Sequence, residues 1–366
     1  MTTADATQTR SVLSDPGVLV PGPGYDVSGT VERYRDTFNR TLRDELDRDA
    51  DVFIMGEDIS GGFDRDTNEP LDAWGGPFAA TKGLVQDFGP DRIRDAPISE
   101  AGFVGAAVGA ALTGLRPVVD LMYFDFVTVA YDQLLSNAAK SRYMFGGQTK
   151  VPLTLFARSG GGTGHAAQHS ESFYSMLAHI PGLKVVVPSD PYTVRGLLAS
   201  AIRDDDPVFL VNDKKLINME GFAPDESFAF PLGKGRYLKH GDDVTLIGMS
   251  YTSVVCKQAA DMLAEEGIEA EVVDMLSLSP FDEEIIVESV MKTNRVVIVD
   301  EDTPRASMAS EFAAIVADKA FDYLDAPVKR VTGPHTPVPY NKGLETAFMP
   351  QPDDVVSTVR AMLDGE

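Results

Sequence analysis

Short apolar, β-branched runs alternate with amphipathic segments along most of the chain, and this alternation limits the fold more than any other feature. The runs lie at residues 52–55, 116–120, 151–156, 184–187 and 208–211, with helical patterns at 30–48, 126–145 and 191–203 between them. A strand, a helix and a further strand return most simply as a parallel sheet covered by helices on both faces. After Asn212 the texture changes: residues 218–239 are rich in Gly, Pro and Phe and hold no sustained period. A second alternation follows, with strands expected at 244–248, 271–274, 296–299 and 328–332 and helices at 252–266, 282–292 and 306–320. A short C-terminal helix closes it. The expected organisation is α/β throughout: a flexible tail over 1–28, a first parallel-sheet domain over 29–212, a linker over 213–238 and a second parallel-sheet domain over 239–366. Length agrees, since 366 residues make two domains at roughly 150 residues each.

Charge and cysteine content narrow the partners. With 32 basic and 56 acidic residues the net charge is −24, which repels nucleic acid and anionic membrane surfaces alike. The single cysteine, Cys256, forms no internal disulfide and supplies no multi-cysteine metal site. Residues 1–26 have neither the apolar core of a secretory signal nor the Arg-rich character of a transit peptide. The most apolar uncharged run, 101–114, is too short to span a bilayer. A soluble protein of the reducing cytoplasm is expected.

Four local patterns bear on chemistry. The Gly-rich run 160–164 follows an expected strand, so it reads either as a phosphate cradle or as a backbone kink beside a site. His165 and His169 stand four residues apart with Glu171 nearby; on a helix that spacing suits zinc, whereas the glycines before it favour a polar loop histidine entering a cleft. Glu100 follows Ser99 at the start of a Gly/Ala-rich helix. The plain reading is a Ser99 cap with a carboxylate at the positive helix end. The alternative is a partly desolvated functional carboxylate, because small residues such as Gly105 and Gly109 let another helix approach closely. The cluster from Met122 to Phe126 follows a strand, and it reads either as core or as a ligand platform at a strand C-terminal end.

Several motifs in one order carry a family resemblance. They are Gly56-Glu57-Asp58, Thr81-Lys82-Gly83-Leu84, Pro97-Ile98-Ser99-Glu100, Gly114-Leu115-Arg116-Pro117, Tyr143-Met144-Phe145-Gly146-Gly147, Ala166-Ala167-Gln168-His169-Ser170, the run 181–186 and Ala201-Ile202-Arg203-Asp204. Over residues 30–362 the chain resembles the beta subunit of the thiamine-diphosphate-dependent first component of 2-oxoacid dehydrogenase complexes. Asp72-Ala73-Trp74-Gly75-Gly76, Pro188-Ser189-Asp190-Pro191-Tyr192 and the run 335–340 look closest to acetoin dehydrogenase beta subunits, with pyruvate and branched-chain 2-oxoacid dehydrogenases as the alternative.

The resemblance implies a pyrimidine-binding transketolase-like domain followed by a transketolase C-terminal-like domain. It also implies an alpha-subunit partner in an α2β2 heterotetramer and a lipoyl-bearing acyltransferase core. The family's diphosphate and Mg2+ motif, Gly-Asp-Gly, belongs to the alpha subunit and is absent from this chain, so a lone beta chain is expected to be inactive. By motif position Glu100 matches the carboxylate facing the aminopyrimidine ring nitrogen, whose protonation helps the exocyclic amine deprotonate the thiazolium carbon. Phe126, Met122 and Ile98 match the ring pocket, and His169 matches the active-site histidine. Leu153, Ala201, Ile202, Asp204 and Asp206 match a structural K+ site. Glu171 stands where the family often has Gln, and a carboxylate there favours an imidazolium at His169. Two alternatives are a non-catalytic scaffold that retains the fold and a self-contained transketolase-type enzyme, the latter disfavoured because the diphosphate-binding half is missing.

Overall fold

A computed structural model of the chain describes residues 18–25, 29–61, 67 and 75–365. Most of the expected tail, and Asp72, Ala73 and Trp74 of the subgroup motif, lie outside the described residues.

The first half begins with β1 (Val18–Leu19), β2 (Thr30–Arg33) and α1 (Tyr34–Arg48). The helix expected over 30–48 thus starts later. Residues Thr30–Arg33 instead pair antiparallel with β9 (Glu220–Ala223), against which β1 also lies. There follow β3 (Val52–Gly56), α2 (Leu84–Phe88), β4 (Ile93–Asp95), α3 (Glu100–Leu112) and β5 (Arg116–Tyr123). Residues 126–145, read as one amphipathic segment, divide into a 3-10 turn (Phe124–Thr128), a π-helical stretch (Gln133–Ala138) and α4 (Ala139–Met144). Then come β6 (Thr154–Ser159), α5 (Tyr174–Ala178), β7 (Lys184–Val186), α6 (Pro191–Arg203) and β8 (Val208–Asp213). Local chemistry sets α6: Pro191 opens it, and the Asp190 carboxylate accepts the Thr193 N–H at 2.7 Å.

The second half contains β10 (Arg236–Lys239), β11 (Val244–Gly248), α7 (Tyr251–Glu265), β12 (Ala270–Asp274), β13 (Ser277–Ser279) and α8 (Glu283–Thr293). It continues with β14 (Val296–Asp300), α9 (Met308–Lys319), β15 (Lys329–Thr332), α10 (Lys342–Phe348) and α11 (Pro352–Leu363). The stretch 218–239 therefore holds two strands, β9 and β10, each too short to show a period.

Two large sheets organise these elements. The first has seven strands in the order β13-β7-β8-β6-β5-β3-β4, parallel except for β13. The second has five in the order β10-β12-β11-β14-β15, parallel except for β10. Both sheets are thus mixed at one edge rather than wholly parallel, and β13, from the second half of the chain, completes the edge of the first sheet. Every residue of β6 and β8 is buried, as a sheet with helices on both faces requires. α3 turns Phe103, Val104, Ala107, Val108 and Ala111 to the core and leaves small residues, among them Ala101, Gly102, Ala106 and Gly109, exposed.

Candidate active site

Strands β3, β4, β5, β6 and β8 run parallel, so their C-terminal ends meet along one side of the first sheet, the side on which such sheets present loops to ligands. Glu100 is the first residue of α3 on that side and is buried at 8% exposure. Ser99 occupies the cap position, yet its side chain makes no capping bond; its carbonyl accepts the Phe103 N–H at 3.0 Å. The plain capping reading of Ser99 therefore fails, and the carboxylate at the helix start is Glu100 itself.

A second carboxyl stands beside it, one to which no sequence pattern assigns a role. Glu57 follows β3, and burial raises its pKa, with further pushes from Glu100, Asp58 and Asp120. Its Oε1 is buried, with no hydrogen-bond partner among the described residues. Beneath it Asp120 pairs with Arg158 at 2.5 Å, both buried. Gly56 permits this close layering, because a Cβ there would lie 2.9 Å from Asp120. Asp120 also accepts the Met122 N–H at 2.8 Å, which helps hold Met122 in the left-handed region at φ 61°. The Arg158 guanidinium lies 4.8 Å from the ring centres of both Phe78 and Phe156, a cation–π arrangement that places it under the aromatic wall.

His169 sits in that wall. Its ring lies edge-on to Tyr123 at 4.3 Å and to Phe126 at 5.4 Å, and Tyr123 meets Phe78 at 5.2 Å. Tyr123 went unassigned in the sequence although the aromatic run 122–126 carried its signal. Two groups fasten the histidine loop. Lys214 Nζ donates to the His169 carbonyl, and Asp125 Oδ1 accepts the N–H groups of Ser170 (3.2 Å) and Glu171 (3.4 Å). Burial lowers the Lys214 pKa and raises that of Asp125. His165 lies against Tyr123 at 5.6 Å; burial, then Lys214 and His169, push its pKa down. Burial, and then Asp125, raise the pKa of Glu171. Among the described residues no hydrogen bond or ion pair joins Glu171 to His169.

The sequence-derived residues thus divide. Glu100, Met122, Phe126 and His169 lie along the strand-end side described above, whereas the Ile98 side chain is 85% exposed. His165 and His169 occupy a loop and a 3-10 turn rather than one helix face, and no cluster of three or more His, Cys, Asp or Glu suited to a metal occurs among the described residues. The Gly-rich run holds an internal carboxylate: Glu345 accepts the N–H groups of Gly162, Thr163 and Gly164. Leu153, Ala201, Ile202, Asp204 and Asp206 gather elsewhere. There the Leu153 carbonyl accepts from Val208 and the Ala201 carbonyl from Asp204, while Arg116 donates to the carbonyls of Ile202 and Asp204. Lys184 and Arg142 pair with the carboxylates of Asp204 and Asp206.

Comparison with known proteins recognises the two halves of the chain. The family described as "Transketolase, pyrimidine binding domain" matches residues 32–219, and "Transketolase, C-terminal domain" matches residues 233–355. The beta subunit of acetoin:2,6-dichlorophenolindophenol oxidoreductase from Bacillus subtilis (strain 168) is 49% identical over 328 residues, covering 90% of this chain and 96% of that one. Its namesake from Cupriavidus necator is 44% identical over 89% of this chain and 96% of its own length. A mitochondrial pyruvate dehydrogenase E1 beta subunit of Oryza sativa subsp. japonica is 41% identical over 92% of this chain and 87% of its own. Among solved structures, a split-gene transketolase described as an inactive beta4 tetramer superposes with TM-score 0.68 at 22% identity, over 92% of this chain and 99% of that one. That last likeness concerns the fold.

Proposed function

The chain belongs to the family of transketolase-type beta subunits of acetoin and 2-oxoacid dehydrogenases, and from that membership we propose that it is the beta subunit of a thiamine-diphosphate-dependent oxidoreductase acting on acetoin. The observation that carries the reading is Glu100, a buried carboxyl at the start of α3, on the strand-end side where His169 lies against Tyr123 and Phe126. Acetoin is preferred to pyruvate because the acetoin relatives are 49% and 44% identical and the pyruvate relative 41%. Pyruvate or a branched-chain 2-oxoacid is the alternative substrate.

The residues present fit the pyrimidine half of the cofactor. Glu100 supplies a carboxyl, Glu57 a buried oxygen without a hydrogen-bond partner among the described residues, and Met122 and Phe126 an apolar wall. When bound, thiamine diphosphate supplies a nucleophilic carbon that cleaves the bond beside the substrate carbonyl. Glu100 would hold a proton at the aminopyrimidine ring nitrogen. His169, oriented by the aromatic edges and by Lys214 on its carbonyl, would move protons at the reacting oxygens. An alpha subunit is needed to hold the diphosphate and Mg2+, since no Gly-Asp-Gly motif is present; the exposed Ile98 would complete its pocket against that partner. Acetaldehyde would leave, and the remaining two-carbon unit would pass to a lipoyl disulfide on an acyltransferase core, the disulfide being reduced as the unit is oxidised to acetyl. A structural K+ would use the remaining lone pairs of the Leu153, Ala201, Ile202 and Asp204 carbonyls, with Asp206 beside them. We assign the pyrimidine-binding domain to 29–212, the linker to 213–238 and the C-terminal domain to 239–366. We place the assembly in the cytoplasm; no helix among the described residues is long and apolar enough to cross a membrane.

The test co-purifies the chain with its alpha partner and supplies thiamine diphosphate, Mg2+ and acetoin, pyruvate or 2-oxoisovalerate. Dye reduction with acetoin is expected, and Glu100→Gln should lower turnover by about 10²-fold or more with assembly intact. Reduction with pyruvate alone discards acetoin as substrate. Full turnover in E100Q discards the catalytic role of Glu100 and favours a scaffold.

A further inference from the structure

The Gly-rich loop after β6 is closed by a carboxylate from near the other end of the chain. Glu345 in α10 is 2% exposed. Its Oε1 accepts the N–H groups of Gly162 (2.8 Å), Thr163 (3.1 Å) and Gly164 (3.1 Å), and its Oε2 accepts Gly164 again at 3.0 Å. Successive amides converge in this way because Gly162 and Gly164 take φ values of +87° and +77°, which forms an anion-binding nest. Hydrogen bonds to a carboxylate are stronger than neutral ones, so the loop is held by charge as well as shape. Apolar contact seals the same place. Val338, Phe348 and Met349 form a small buried cluster in the second half of the chain, and a Cβ on Gly161 would come within 2.7 Å of Met349 Sδ and 3.2 Å of Val338 Cγ1. The held segment leads directly into the histidines. Thr163 Oγ1 lies 2.8 Å from His165 Nδ1, and the 3-10 turn that follows ends at His169.

We propose that Glu345 is a positioning residue for this site. Its carboxylate fixes the loop 160–164 in one conformation and thereby places His165 and His169 against Tyr123 and Phe126. Through this side chain the second half of the chain acts on the loop that carries the histidines. The proposal rests on the reading of His169 as the group that moves protons.

The experiment compares the wild-type complex with alpha against Glu345→Gln and Gly161→Ala. E345Q removes the charge from the nest; G161A keeps the charge but presses the loop off Met349, at a position without left-handed strain. Hydrogen–deuterium exchange of the peptide spanning 160–169 is expected to quicken at least about tenfold in both variants. In the same proteins kcat should fall roughly 10- to 100-fold and the pH profile of kcat/KM should shift, while cofactor affinity, which depends on Glu100 and the alpha subunit, should hold. Unchanged exchange in E345Q overturns the latch. Faster exchange with kcat and pH profile unchanged overturns the positioning role. Should E345Q fail to assemble, G161A carries the same outcomes. A wild-type complex inactive with every substrate would instead fail the functional reading, and the exchange measurement would still decide whether Glu345 holds the loop.

Discussion

Asp302 offers a quantitative test of how the acidic end of β14 is built. Asp300, Glu301 and Asp302 succeed one another there at 0%, 4% and 8% exposure. Burial pushes the Asp302 carboxyl from the ordinary 3.8 up to about 8; Asp300, Glu171 and Glu301 add to the push, and the Thr303 N–H opposes it. Burial likewise carries Asp300 to about 6, against the amides of Asp302 and Ala309. The folded chain therefore keeps protons that the unfolded chain releases near 3.8. Stability tied to Asp302 is complete below about pH 4 and drains away as pH rises through about 8. A rise of about four pKa units is worth ~6 kcal/mol at most. Part of the push on Asp302 is the Asp300 charge, which the substitution leaves buried, so it recovers only part of this, about 2–4 kcal/mol. Asp302→Asn keeps the oxygen that accepts the Thr303 N–H at 2.6 Å and loses the charge. Calorimetric melts of wild type and D302N between about pH 5 and pH 9 should show a small gain at the acid end that grows to several degrees at the alkaline end. A difference that stays constant across that range refutes the reasoning, because the wild-type carboxyl would then be ionised throughout.

Two further outcomes follow from buried groups. Arg236, at 1% side-chain exposure, pairs with Asp190 at 2.7 Å and Asp274 at 2.9 Å; Arg236→Met leaves both carboxylates uncompensated and should cost about 3–5 kcal/mol in urea unfolding, and a loss below about 1 kcal/mol would contradict that. Cys256 is fully buried and burial pushes its thiol well above the usual range, so iodoacetamide should leave it unmodified in the native complex and label it once the chain is unfolded; prompt native labelling would show that α7 opens.

Strand-and-helix alternation was legible because apolar runs such as 244–248 are fully covered and stand out between amphipathic segments. Glu100 and His169 were legible through motif order. What escaped depended on partners distant in sequence. Residues Thr30–Arg33 continue the helical pattern of α1, yet pairing with β9, nearly two hundred residues on, makes them a strand. Ser99 has the right chemistry for a cap and no bond to make there. The glycines 160–164 announce a nest without saying which anion fills it, and the answer, Glu345, lies in another sheet's territory. Glu57 carries little local mark, because its raised pKa comes first from burial and then from Glu100, with Asp58 and Asp120 adding to it.

β13 also governs when the first sheet can be finished during synthesis. Ser277 and Ser279 pair with Val186 and Val185, so β7 remains an open edge until a segment some ninety residues later has left the ribosome. At about 5–20 residues per second that interval is roughly 5–18 s. Throughout it, the backbone groups of β7 offer a template to any other strand. A fragment that stops after β8 would keep that liability permanently. The nascent chain is accordingly most exposed to aggregation and to chaperone capture while the second half is still being made, before any partner subunit can dock.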